Sequence, residues 1–167
     1  MKQHHVFSFL QRMGKSFMLP IAVLPVAGIF LGVGSSLTNE TTIAALHLES
    51  VLGQGTFLYS VLILLKQVGK VLFDNLPLIF AVSIALGMSK RRKEVAALAA
   101  IIAFFVMHAT INTLLCLDGS IVNGVVSNYI LDGSITSVCG MLSLEMGVFG
   151  GIVVGLGVSY LHNHFYQ

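Results

Sequence analysis

Between Lys15 and Glu40 the chain carries no charged side chain, and the run is apolar through Leu37. A helix needs about 20 apolar residues to cross ~30 Å of hydrocarbon, so this segment constrains the fold more than any other. Pro20 and Pro25 lie inside it. In water two prolines would argue against a helix. In lipid the backbone has few alternatives to helical hydrogen bonding, so proline shapes a helix rather than abolishing it. Pro20 falls near the start, where a missing N–H matters little, and Pro25 is expected to kink the span. Packing is the first reading of both; a hinge is the second.

The rest of the chain agrees. Of its 167 residues 56% are hydrophobic and 10% charged, against about 25% charged in soluble domains. That leaves too little polar surface to cover a core of this composition. A net charge of +2 without a clustered basic face gives no reason to expect a nucleic-acid partner. The run after Lys15 is too long for the apolar core of a signal peptide and ends in no A-x-A-like site, so it reads as a retained span.

Four stretches are expected to cross: residues 16–37, 71–89, 95–117 and 144–161. Residues 57–69 are expected to form an interfacial amphipathic helix, because Lys66, Lys70 and Asp74 fall on one stripe. One straight helix from there through residue 89 would be about 50 Å long, too long for one crossing. A fifth span over residues 43–65 is the alternative, and Glu49 and Gln54 weigh against it. Lys2, Arg12 and Lys15 precede the first span, and Lys90, Arg91, Arg92 and Lys93 separate the second from the third. Residues 38–56 and 118–143 contain no Lys or Arg. The positive-inside rule then predicts an all-α polytopic protein, a single unit over 1–167, with both termini cytoplasmic. Lys66 and Lys70 are the exceptions, at the outer interface.

Small residues mark packing faces: Gly28 with Gly32, and Gly147, Gly151 and Gly155 as a ladder. The motif MGKS at residues 13–16 is not a phosphate-binding loop, since Phe9 stands where that motif needs glycine. His4, His5, His162 and His164 sit at the termini without acidic or Cys partners, so no metal site is expected. Cys116 and Cys139 form no CxxC; two ordinary apolar cysteines are preferred over a disulfide. Asp74 is explained by an ion pair with Lys70 or by capping the second span, with Asn75 facing an aqueous cavity as the functional alternative. His108 and Asn112, one turn apart within a span, must face protein or water. Interhelical hydrogen bonding is the first reading there, and a proton or substrate role the second. Glu145 is expected at the positive end of the fourth helix. The residues show no nucleophile–base pair and no two-carboxylate site. Their own chemistry reaches as far as a polytopic membrane protein, a piece of a transporter.

Four motifs in order carry a further resemblance: "LQRMGKSFMLPIAVLPVAGIFLGVGSSL", "FDNLPLIFAVSIALG", "KEVAALAAIIAFFVM" and "MGVFGGIVVGLGVSYLHNHFY". Together they resemble the N-terminal half of the membrane (IIC) domain of the sugar phosphotransferase system, of the glucose/maltose/N-acetylglucosamine type. The resemblance implies a bacterial cytoplasmic-membrane permease that couples uptake of a glucose- or maltose-type sugar to its phosphorylation. It implies IIA and IIB phosphocarriers as partners, a homodimer and no cofactor. Asn75, Leu76, Pro77 and Phe80 match the "NLPLIF" motif and, with His108, are candidates along the sugar pathway. Such proteins continue beyond "HNHFY" into the half that holds the sugar site and a catalytic-type Glu and His, so this chain is expected to lack that half. Neither Glu145 nor His108 matches that motif, so no phosphotransferase role passes to either. A non-catalytic scaffold or dimerisation fragment is the alternative.

Overall fold

The computed structural model describes residues 2–127 and 133–166, with side chains from residue 6 onward. The His4–His5 reading therefore lies outside the described side chains. The helices are α1 (Lys2–Ser16), α2 (Met18–Leu37), α3 (Glu40–Ala45), α4 (Glu49–Leu52), α5 (Phe57–Asp74), α6 (Leu76–Met88), α7 (Lys93–Leu117) and α8 (Gly147–Phe165). The chain forms two compact units: Met1–Pro20 with Asn75–Gln167, and Ile21–Asp74.

Two helical runs among the described residues are long and apolar enough to cross a membrane, Val6–Leu37 and Lys93–Leu117; α5 with α6 makes a third if the pair is one broken span. The expected second span is thus not one helix. Pro77 sits in the first turn of α6, and its ring would clash with the carbonyl four residues earlier while offering no N–H. The chain breaks at Asn75 instead. The amphipathic helix expected at 57–69 consequently runs on to Asp74, and α6 keeps 13 residues, ~20 Å of helix. The expected fourth span starts late. Leu144 ends a strand, α8 begins at Gly147, and His162, Asn163 and His164 close its apolar stretch, leaving ~22 Å against ~30 Å of hydrocarbon.

The all-α expectation is corrected between α7 and α8, where two antiparallel hairpins form. β1 (Ile121–Val122) pairs with β2 (Val125–Val126), Ile121 opposite Val126. Asn123 and Gly124 between them have φ of 53° and 75°, the two left-handed residues of a type I′ turn. β3 (Ile135–Val138) pairs with β4 (Met141–Leu144), Val138 opposite Met141. Their turn repeats the pattern, with Cys139 at φ 49° and Gly140 at φ 83°.

In the first unit α6, α7 and α8 pack against one another. The buried residues of α7 are Ala96, Ala100, Phe104 and His108, one stripe at four-residue steps. Ala81, Phe104, Val138 and Val154 form one core cluster, and Ala85, Ala96 and Ala100 another. α1 joins through Ser83, whose hydroxyl donates to the Ser16 carbonyl at 2.5 Å. On the opposite face of α7, Leu98, Ile102 and Val106 are exposed. A helix that is apolar on both faces has protein on one side and lipid as solvent on the other.

In the second unit Ile43, Leu52 and Leu62 form the core. α2 and α5 approach at backbone range: a Cβ on Gly34 would lie 2.7 Å from the Lys66 nitrogen, and one on Gly69 2.8 Å from the Ala27 carbonyl oxygen.

Candidate functional site

Polar side chains from the start of α6 and the middle of α7 converge on the β3–β4 hairpin. His108 Nδ1 lies 2.7 Å from Ser143 Oγ, and both residues are almost wholly shut from solvent, at 2% and 0% exposure. One turn on, Asn112 Nδ2 donates to the Leu142 carbonyl at 2.6 Å. At the hairpin's turn the Cys139 thiol donates to Asn75 Oδ1 at 3.5 Å. Three elements far apart in sequence therefore meet: the break before α6, the middle of α7 and the hairpin. The Phe104 ring meets the His108 imidazole edge-on, with centroids 4.5 Å apart. An imidazole inside an apolar bundle needs such a partner for its nitrogen, since an unmade buried hydrogen bond costs about 1–3 kcal/mol. Cys139 lies outside the long helices, and burial pushes its thiol up from its ordinary value. It stays a protonated donor rather than a nucleophile.

The candidates from sequence divide accordingly. Asn75 and His108 reach the same hairpin. Pro77 turns its backbone toward Gly151, where a Cβ would meet its carbonyl oxygen at 2.0 Å. Phe80 faces elsewhere, its ring edge-on to Phe17 at 5.6 Å, and Leu76 is half-buried. Gly155 lies against α6, its Cβ position 2.7 Å from the Ala81 carbonyl oxygen. Gly147 stands at the first position of α8 with φ 51° and meets only Glu145. Gly28 and Gly32 have no described atom within 4 Å of the Cβ position. Pro20 is fully buried, and Pro25 lies within α2.

Three side readings are corrected or refined. Asp74 ends α5 and pairs with Lys70 at 2.5 Å; α6 is preceded by Asn75, which makes no side-chain cap. Glu145 lies ahead of α8 rather than in its first turn, accepting from the Thr136 hydroxyl while its N–H donates to Ser134 at 2.9 Å. The strand pairing claims residues that would otherwise begin the helix. Cys116 and Cys139 are both free thiols. Ser143 was not among the sequence candidates, because its value comes only from the hairpin. Among the described residues no three His, Cys, Asp or Glu side chains gather as a metal cage.

The hydrogen-bonded groups of the cluster are an imidazole, two amides, a hydroxyl and a thiol. No charged side chain occurs in the helical residues 76–88, 95–117 or 147–161, and the carboxylate beside the cluster is the exposed Glu145 at the hairpin's end. Such a chain is a membrane domain, with apolar faces outward and neutral hydrogen-bonding groups held inside. The family described as "Phosphotransferase system, EIIC" matches residues 14–167, and the chain belongs to it. It is 37% identical over 162 residues to the "PTS system glucose-specific EIICBA component" of Staphylococcus saprophyticus. That alignment covers 97% of this chain and 22% of the relative's length. The resemblance drawn from the four motifs thus holds.

Proposed function

We propose that the chain serves as the N-terminal scaffold of a phosphoenolpyruvate-dependent sugar transporter of glucose type, working with IIB and IIA phosphocarriers. The observation that carries this is family membership over residues 14–167, supported by identity to a glucose-specific relative. The neutral interior fits the cargo: a hexose is an uncharged polyol, and amides and hydroxyls match it without the cost of burying a charge. In this reading Asn75 borders the sugar path with Leu76, Pro77 and His108 behind it, while Phe80, packed on Phe17, lies away from it. The chain crosses the bilayer four times, with Lys90, Arg91, Arg92 and Lys93 and both termini on the cytoplasmic side.

The test is sugar uptake in a bacterium lacking its own glucose permease. This chain, co-expressed with the remaining portion of a glucose-type relative, is expected to restore uptake of labelled glucose; membrane insertion without uptake would refute the reading. A second reading, a dimerising scaffold without transport of its own, is favoured by one observation. Gly28 and Gly32 of α2 have no described atom within 4 Å of their Cβ positions, as on a helix surface that takes a second copy.

A further inference from the structure

We propose that a cleft bordered by α1, the end of α6 and α8 holds the headgroup of an anionic phospholipid. The cleft has a volume of about 630 Å³ and is lined by Arg12, Lys90, Tyr160 and Asn163, with Phe9 and Leu156 as apolar wall. None of its lining residues is acidic. Two cations from separate elements, with no carboxylate to neutralise them, make an anion site rather than a surface ion pair.

The arrangement is built rather than incidental. Asn163 accepts from the Lys90 N–H at 2.8 Å and donates to the Met88 carbonyl at 3.0 Å. His162 Nε2 lies 2.8 Å from the Arg91 carbonyl. Two consecutive side chains of α8 therefore clamp the turn that carries Lys90. Arg12 is held from the other side, since its helix is tied to α6 through Ser16 and Ser83.

The surroundings decide between a lipid and a soluble phosphate compound. α1 exposes Val6, Phe7 and Leu10, and Tyr160 at the cleft is 75% exposed. A basic helix with a bare apolar side belongs at the headgroup boundary. Aromatic rings with one polar end sit at the same depth. A phosphate between Arg12 and Lys90 would leave its acyl chains beside Phe9 and Leu156. This inference rests on the membrane reading above, and not on which sugar is carried.

The test uses the full chain purified in detergent and native mass spectrometry, with dioleoylphosphatidylglycerol and dioleoylphosphatidylcholine as probes. The unmodified chain should retain the anionic lipid preferentially. R12Q and K90Q should each lower that retention about fivefold, the worth of one basic side chain at an anionic surface. R12K, which keeps the charge, should retain most of it, and K66Q, outside the cleft, should match the unmodified chain. Retention of phosphatidylcholine should be the same in all variants, which separates loss of the site from loss of the fold. Retention of the anionic lipid by R12Q and K90Q at the level of the unmodified chain would overturn the proposal. So would an equal fall in K66Q, or displacement of the lipid by millimolar inorganic phosphate. Failure of the chain to partition into membranes, seen at fractionation, would overturn the membrane reading itself.

Discussion

Residues 21–74 and 75–167 both bring helices together at glycine, yet they use the motif differently. Gly28 and Gly32 share the four-residue spacing of Gly151 and Gly155. The first pair faces open space, and the second is pressed against the backbone of Pro77 and Ala81. In the 21–74 unit the close approach falls to Gly34 and Gly69 instead, neither of which belongs to such a pair. Spacing alone thus places small residues on one helical face. Whether another backbone fills that face depends on the partner helix, and α6 suits α8 because Ala81 and Ala85 leave its surface low.

The comparison breaks or stands on substitution. Gly151→Leu should cost at least about 3 kcal/mol, because the new side chain meets a carbonyl with no room to yield. Gly28→Leu should stay within about 0.5 kcal/mol. Unfolding of both chains in mixed micelles measures this, and equal losses would erase the distinction.

A smaller effect sharpens what pins the 75–167 unit. Ser143→Ala should cost about 1–3 kcal/mol by stranding the His108 nitrogen. A double-mutant cycle with His108→Ala should show a coupling of at least ~0.5 kcal/mol; additive losses would mean the two side chains act separately. Smallest is a pH effect at Cys139. Its folded thiol holds its proton above the ordinary value of 9.0, so the folded state binds more proton than the unfolded one there. The stability this lends is full below that pH and declines as pH rises through the folded value. Maleimide labelling near neutral pH should accordingly favour the exposed Cys116, and equal rates at the two thiols would contradict the half-buried placement of Cys139.

Much of this could be read before the structure. The run 95–117 gave its helix nearly to the residue, because it is uninterrupted and uncharged. The family was legible in four ordered motifs. The break at Asn75 was harder, since hydropathy carries straight through Pro77 while backbone sterics do not. The hairpins carry a strong local turn signal in Val-Asn-Gly-Val, but the charge pattern of residues 118–143, which lack Lys and Arg, does not show it. Pairing of the second hairpin is what brings Ser143 to His108 and keeps Glu145 out of α8. Ladder membership of Gly147 failed for the same reason, because the helix starts there.

Arg92 stands immediately before α7 with φ 43° and no side-chain cap, its guanidinium 5.9 Å from the Tyr166 ring centroid. Left-handed backbone costs a branched-Cβ-free but non-glycine residue roughly 1–2 kcal/mol. Glycine would relax that joint, but it would also delete one of four adjacent positive charges and a cation–ring contact. The position therefore serves two masters, local comfort and electrical character, and an engineer seeking a sturdier protein cannot improve the first here without spending the second.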